Sequence, residues 1–136
     1  MANIEKTLSI IKPDAVERNL IEEIKNIFKT NNLNIKESKK THISRDEAAE
    51  FYKVHQSKPF YNDLCAYLSS GPIVVMILEG LDAISLNRKL MGATNPKEAE
   101  ENTIRKLYGI SIDKNSVHGS DSEENAIKEI NFFFKN

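Results

Sequence analysis

Between Gly71-Pro72 and Glu79-Gly80 the chain reads Ile73-Val74-Val75-Met76-Ile77-Leu78 without one polar residue. An unbroken apolar, β-branched run has no helical periodicity, and the Gly-Pro and Gly around it are breakers. The segment is expected to be the central strand of a sheet. Lys6 to Ile11 alternates and then runs apolar, which reads as another strand. Pro13 stops it by removing a backbone donor, so the chain must turn at Lys12. Leu33, Ile35, Thr41 and Ile43 stand among charged and polar residues, the pattern of a half-buried strand at a sheet edge.

Helical spacing governs the stretches between. Leu20, Ile21, Ile24, Ile27 and Phe28 predict an amphipathic helix from Asn19 to about Lys29, ended by Asn31-Asn32. Ser44 and Glu47 stand three apart, the spacing of a capping box, before a helix through Ala48, Ala49, Phe51 and Tyr52. A short helix is expected after Pro59, and Asp82 is positioned to cap another through Ile84, Leu86 and Leu90. Gly92 to Glu101 reads as a loop with a local turn at Pro96. Ser120 and Glu123 repeat the capping-box spacing for a last helix with Ala126, Ile127, Ile130, Phe133 and Phe134 on its buried side. The chain has no repeat, low-complexity tract or Ser/Gly linker, so strands and helices are expected to form one sheet-plus-helix layer pair of α+β class.

At 136 residues and 40% hydrophobic content the chain can close one core but not two, and residues 1–136 are expected to be a single domain. Nineteen Lys and Arg against twenty Asp and Glu leave a net charge of -1, so no polyanionic partner is demanded and no specific nucleic acid is expected. Cys65 is the only cysteine. Alone it can form neither an internal disulfide nor a zinc cluster, and between Leu64 and Ala66 it reads as an inert core thiol in a reducing compartment. The charged segment Asn3 to Lys6 replaces the apolar stretch of a secretory signal, and no apolar run is long enough to span a bilayer. A cytoplasmic location without membrane contact is the expectation.

Four separated stretches carry polar groups that a globular core does not require. The most informative is Asn115-Ser116-Val117-His118-Gly119-Ser120-Asp121. A neutral imidazole is nucleophilic near pH 7, and its phosphoramidate stays reactive enough to pass the phosphoryl group onward. Gly119 removes a side chain beside His118. Glu129, eleven residues later on the expected last helix, is within reach to orient the imidazole, and Ser120 could steady that carboxylate. Lys12-Pro13-Asp14 sits at a strand end, where the lysine could project into a cleft and Asp14 could cap the turn. Arg88, Thr94 and Arg105 complete the set; the chain's four arginines are Arg18, Arg45, Arg88 and Arg105, and a planar, permanently charged fork suits phosphate oxygens. Taken singly, each has a plainer reading: His42 and His55 as filler, Arg88 and Arg105 as solvated helix charges, Thr94 and Asn115 as turn formers, Tyr52 and Phe60 as core aromatics, Glu129 as a solvated helix residue.

Taken together, Lys12-Pro13-Asp14, Ser70-Gly71-Pro72, Met91-Gly92-Ala93-Thr94-Asn95-Pro96, Thr103-Ile104-Arg105 and His118-Gly119-Ser120-Asp121 resemble, in order and spacing over almost the whole chain, the nucleoside diphosphate kinase family. The resemblance implies a ferredoxin-like βαββαβ sandwich with an antiparallel sheet covered by helices. It implies that His118 is the phosphorylated nucleophile, with Glu129 orienting it, Ser120 in support and Gly119 beside it. Lys12, Tyr52, Arg88, Thr94, Arg105 and Asn115 would hold phosphates and sugar, and Phe60 and Ile112 would sandwich the base, giving broad base specificity. The implied cycle is ping-pong: a nucleoside triphosphate phosphorylates His118, and a nucleoside diphosphate collects the group, with Mg2+ bridging the phosphates. A cytoplasmic homo-oligomer, hexamer or tetramer, is implied as well. Three departures stand out. Asn19 and Glu22 occupy a usually glycine-rich segment, Glu101-Asn102 replaces a Pro-Gly, and the chain ends at Phe134-Lys135-Asn136 without the long tail of larger relatives.

Two other classes are weighed against this one. An RNA-recognition domain needs aromatic residues on its sheet strands, and Ile73 to Leu78 has none. An inactive kinase-like scaffold would not be expected to keep His118 together with Lys12, Arg88 and Arg105.

Overall fold

Ile73 to Leu78 lies within β3 (Ile73–Leu81), an inner strand of a four-stranded antiparallel sheet. The structure is a computed structural model and describes residues 4–112 and 114–134; the charged stretch from Asn3 and the terminal Lys135-Asn136 fall partly or wholly outside them. β3 pairs on one side with β1 (Ile4–Ile11) and on the other with β2 (Asn34–Thr41), while β1 pairs in turn with β4 (Val117–Gly119). The order is β2-β3-β1-β4. Since β1 and β2 both run antiparallel to β3, they are parallel to each other with β3 inserted between them. With α2 (Ile21–Thr30) joining β1 to β2 and α5 (Ala83–Met91) joining β3 to β4, this is the ferredoxin-like βαββαβ arrangement. As its polar alternation suggested, β2 forms one edge. Further α-helices decorate this frame: α1 (Pro13–Glu17), α3 (Arg45–Phe51), α4 (Tyr61–Leu68), α6 (Ile104–Tyr108) and α7 (Glu123–Phe133).

Side chains alternate across the sheet. Val74, Met76 and Leu78 join Ile11, Phe28, Met91 and Ile104 in one core, beneath α2 and α5. Ile73 and Val75 join Leu8, Ile10, Ala48, Leu68 and Phe133 in a second core, beneath α3, α4 and α7. Helices thus cover both faces, not one as the layer-pair reading had it, and this is why β3 has no polar residue from 73 to 78: neither of its sides meets water. The same cover removes the open sheet face on which an RNA-recognition domain would stack bases. Cys65 is fully buried in the second core.

Several local expectations change in detail. Asp82 adopts a left-handed conformation, φ 49°, and makes no side-chain cap; the amide of Ile84 at the start of α5 donates instead to Glu5 Oε1, 3.2 Å away on β1. The last helix is capped by Ser122, whose Oγ accepts the Asn125 amide at 3.1 Å, and not by Ser120. Ser120 is still tied to the sheet, its N–H donating to the Leu8 carbonyl, so the helix cannot begin until the chain has left β1. Ala126, Ile130 and Phe133 make the inward stripe of α7, and Ile127, off that stripe, is 57% exposed. Pro13 opens α1 at its first position, where a missing N–H costs nothing. Asp14 does not cap that turn. Asn19 and Asn102 take φ values of 61° and 67°: asparagine supplies there the left-handed conformation otherwise typical of glycine.

Ser44 caps α3 as expected, its Oγ accepting the Glu47 amide at 3.0 Å while Glu47 Oε1 accepts the Ser44 amide at 2.9 Å. Replacing Ser44 by Ala is expected to lower the free energy of unfolding by about 1 kcal/mol. Urea denaturation measures this, and an unchanged midpoint would show that the cap contributes nothing.

Candidate active site

β4 is only three residues long, and its pairing with β1 sets His118 opposite Ile10. Alternation then sends the imidazole toward α3 and α7 and leaves Gly119 facing α5. On α7, Glu129 Oε1 lies 3.0 Å from His118 Nε2, and the Ser120 hydroxyl donates to the same oxygen at 2.9 Å. Ser120 Oγ also accepts the Leu8 amide at 3.4 Å. A carboxylate accepts, so in this contact His118 Nε2 is the donor. The ring is not sealed: 22% of the His118 side chain is exposed. Phe51 stands edge-on to it with centroids 5.3 Å apart, and Tyr52 does so at 6.4 Å. Burial, and then the charge of Glu129, raise the Tyr52 phenol well above its ordinary pKa, so it stays protonated.

At the end of β1 the backbone of Lys12 donates to the Ser116 carbonyl at 2.8 Å, which sets the 115–117 segment beside it. Lys12 Nζ donates to Asn115 Oδ1 at 2.9 Å, and Asn115 Nδ2 donates to the Thr94 carbonyl at 3.0 Å. Lys12 and Asn115 are buried, whereas Thr94 is exposed.

Arg105, on α6, is 9% exposed. Its Nη1 donates to the Gly92 carbonyl at 2.9 Å and its Nη2 to the Val117 carbonyl at 3.0 Å, so it ties the 92–94 turn to β4. Burial, with a smaller push from Arg88, lowers its pKa to about 10, which leaves it charged at neutral pH. Arg88, Thr94, Arg105, Gly119 and Asp121 line a depression of about 460 Å³. A second depression, about 320 Å³, contains His118, Glu129, Phe51 and His55 and shares Gly119 and Asp121 with the first. Asp121 is the only carboxylate common to both, and a hydrogen bond from Asn125 lowers its pKa. A Cβ on Gly119 would stand 2.3 Å from Asn87 Nδ2 and 2.9 Å from Met91 Sδ, so the wall where the depressions meet accepts no side chain.

The fold therefore gathers His118, Glu129, Ser120, Gly119 and Tyr52 at one ring, Lys12, Asn115 and Thr94 in one chain of contacts, and Arg88 with Arg105 beside them. Phe60 and Ile112 stand apart. They are 42% and 55% exposed, and neither lines the two depressions; the Phe60 ring lies 6.2 Å from that of His55 and beneath Lys58 Nζ at 5.7 Å. Sequence reasoning missed Phe51, His55 and Asp121 as wall residues. Phe51 had a signal, since it precedes Tyr52 on the same helix, but apolar spacing cannot separate a core ring from one lying against an imidazole. His42 bonds the Ser69 carbonyl, away from this region.

Comparison with known proteins agrees with this fold. A family model described as nucleoside diphosphate kinase matches residues 5–136. The chain is 58% identical over 131 residues to the nucleoside diphosphate kinase of a Nitratiruptor species, covering 96% of each. It is 56% identical to that of Campylobacter curvus, again over 96% of each. Among solved structures, the Aquifex aeolicus nucleoside diphosphate kinase superposes with a TM-score of 0.97 at 40% identity, over 98% of this chain and 97% of that one. With a family match over nearly its full length and a fold shared with solved members, the chain belongs to the nucleoside diphosphate kinase family.

Proposed function

We propose that this chain, acting as one domain over residues 1–136, transfers the γ-phosphoryl group of a nucleoside triphosphate to a nucleoside diphosphate with His118 as the carrier. Family membership supports the activity, and the single observation that carries the mechanism is the hydrogen bond from His118 Nε2 to Glu129. With Glu129 as the acceptor, this reading puts the proton on Nε2 and the nucleophilic lone pair on Nδ1. In the first half-reaction Nδ1 attacks the γ-phosphorus, the bond to the β-phosphate oxygen breaks, and that oxygen leaves with the electron pair on the diphosphate. Imidazole then bears positive charge beside Glu129, which stabilises it. In the second half-reaction the terminal oxygen of another diphosphate attacks the same phosphorus, the N–P bond breaks, and the pair returns to Nδ1.

Arg88, Arg105, Lys12 and Thr94 are the groups this reading assigns to the phosphate oxygens, and Tyr52 and Asn115 flank them. The guanidinium of Arg105, held by two carbonyl oxygens, keeps its charge without a carboxylate partner among the described residues. It can therefore offset charge building on the transferred group. Among the described residues no cluster of three or more His, Cys, Asp or Glu could hold a metal ion; this reading assigns Mg2+ to the nucleotide phosphates, with which it would arrive. When bound, such an ion would neutralise phosphate charge. Asp121, whose pKa a hydrogen bond from Asn125 lowers, lines both depressions and is the carboxylate that would face such an ion. The exposed Phe60 and Ile112 are assigned to the base; a clamp of ring and aliphatic side chain reads no base edge, so purine and pyrimidine nucleotides would both serve. A homo-oligomer, hexamer or tetramer, and a cytoplasmic location complete the reading; no helix among the described residues is long and apolar enough to cross a membrane. Light scattering distinguishes the two assemblies.

With γ-labelled ATP the protein is expected to acquire acid-labile, base-stable label that a diphosphate removes, and His118→Ala to acquire none; a labelled variant would refute the carrier assignment. Glu129→Gln keeps an acceptor oxygen but lacks the charge. Its kcat is expected to fall roughly tenfold to hundredfold, and a rate within twofold of the parent's would remove Glu129 from the mechanism. Arg105→Lys exchanges a two-pronged donor for a point charge and leaves one of two carbonyls unpaired. Stability is expected to drop by about 1–3 kcal/mol, together with kcat/KM; urea denaturation and steady-state kinetics would show whether neither moves.

A further inference from the structure

We propose that Asp14 is a positioning residue of this site, whose carboxylate holds Ser116 in a positive-φ backbone conformation and thereby sets where Asn115 and Lys12 stand. The proposal deepens the reading above and rests on it. Asp14 is the member of Lys12-Pro13-Asp14 that the phosphoryl chemistry leaves without a task, and its side chain is only 4% exposed. It lines neither depression at His118 but a separate one, with Arg18, Tyr67 and Lys114, and its carboxylate oxygens are engaged by groups of the chain itself. Instead it collects donors from three parts of the chain. The Tyr67 hydroxyl, from α4, donates to Oδ1 while accepting the Asp14 amide at 2.8 Å. Oδ2 accepts from Ser116 Oγ at 3.2 Å and from Arg18 Nη2 at 3.0 Å. Arg18 in turn reaches the Tyr108 carbonyl at 2.6 Å.

What this knot restrains is Ser116, fully buried with φ 76°. A residue with a Cβ avoids that region unless its surroundings over-determine it. Two side-chain bonds restrain it there: Ser116 Oγ donates to the buried Asp14 carboxylate and accepts from Arg18 Nη2 at 3.4 Å, and Asp14 itself holds that guanidinium. Its result reaches the site on both sides. The Ser116 carbonyl accepts the Lys12 amide at 2.8 Å, and the preceding residue, Asn115, accepts Lys12 Nζ at 2.9 Å and spans to the Thr94 carbonyl at 3.0 Å. The following residue, Val117, already belongs to β4 and pairs with Ile11 of β1. If residue 116 relaxed to negative φ, the chain could not keep Asn115 on Lys12 and Val117 in the sheet together. Asp14 and Tyr67 thus fix the ammonium group relative to His118 from behind, without touching the substrate.

The test measures the rate of phosphohistidine formation from ATP in the full-length protein and in Asp14→Asn, Lys12→Ala and the double variant. An amide at Asp14 turns an NH2 toward two donors or toward the phenol, and the rate is expected to fall roughly tenfold to hundredfold. In the Lys12→Ala background the same change is expected to matter less than about twofold, because what Asp14 positions is already gone. Adding Ser116→Gly to Asp14→Asn is expected to recover most of the loss, since glycine takes φ 76° unaided. A general loss of folding would instead multiply with Lys12→Ala and would not be recovered by a glycine. Labelling of Asp14→Asn within about twofold of the parent, or multiplicative losses in the cycle, overturns the proposal. Should Asp14→Asn not fold, Tyr67→Phe, which removes one donor from Oδ1, carries the same cycle with a loss of about threefold or more expected in the parent background alone. His118→Ala is run alongside. If it stays unlabelled while Asp14→Asn is normal, only the positioning role fails; if it labels, the carrier assignment fails instead.

Discussion

β4 pairs with β1 through three residue couples, Ser9 with Gly119, Ile10 with His118 and Ile11 with Val117, and the direction of the imidazole depends on that register. Side chains on a strand alternate with a period of two, so a slip of one residue would turn His118 toward α5 and away from Glu129. Packing forbids the slip. The α5 side of position 119 is filled by Asn87 and Met91, close enough that even a single Cβ would overlap them, and an imidazole could not enter. Gly119 therefore does more than clear space beside the histidine: it is the residue that lets its neighbour face the other way.

Electrostatics around the ring are divided between its two sides. Glu129 on α7 and Ser120 just after β4 make a short chain of hydrogen bonds that ends on Nε2. Arg88 and Arg105 supply positive charge from α5 and α6. Removing a guanidinium from water is costly, and burial does depress the Arg105 pKa, but two carbonyl acceptors offset enough of that cost to keep it protonated. Carbonyl oxygens accept from Nη1 and Nη2 without cancelling the charge, which a carboxylate would do. A cation held this way can still attract an anion at the neighbouring depression.

Much of the frame was legible in the chain. The apolar run from Ile73 to Leu78, the charged strand before Ser44 and the Ser44–Glu47 capping box each state their environment locally, because burial and capping act over a few residues. What failed were points where a remote group took over a local role. Glu5 replaced Asp82 at the start of α5, and Ser120 gave its hydroxyl to Glu129 while Ser122 took the cap. Capping preference depends on the first free amide, and that amide is fixed by where the sheet releases the chain. The site strings were visible as well, since polar residues bounded by Gly and Pro stand out against a core; Phe51 and His55, with no such marking, did not.

By itself the sequence determined the residue types that the chemistry requires, the alternation of strands and helices, and the β-branched segment that had to be buried, because these follow from composition and spacing along a few turns. Only the tertiary structure decided that helices cover both faces of the sheet, that Nε2 and not Nδ1 of His118 meets Glu129, and that Asp14 braces Ser116 from outside the site. Those outcomes depend on contacts between residues tens of positions apart, such as Lys12 with Asn115 and Asp14 with Tyr67. Spacing along a chain carries no information about which distant partner will close such a contact.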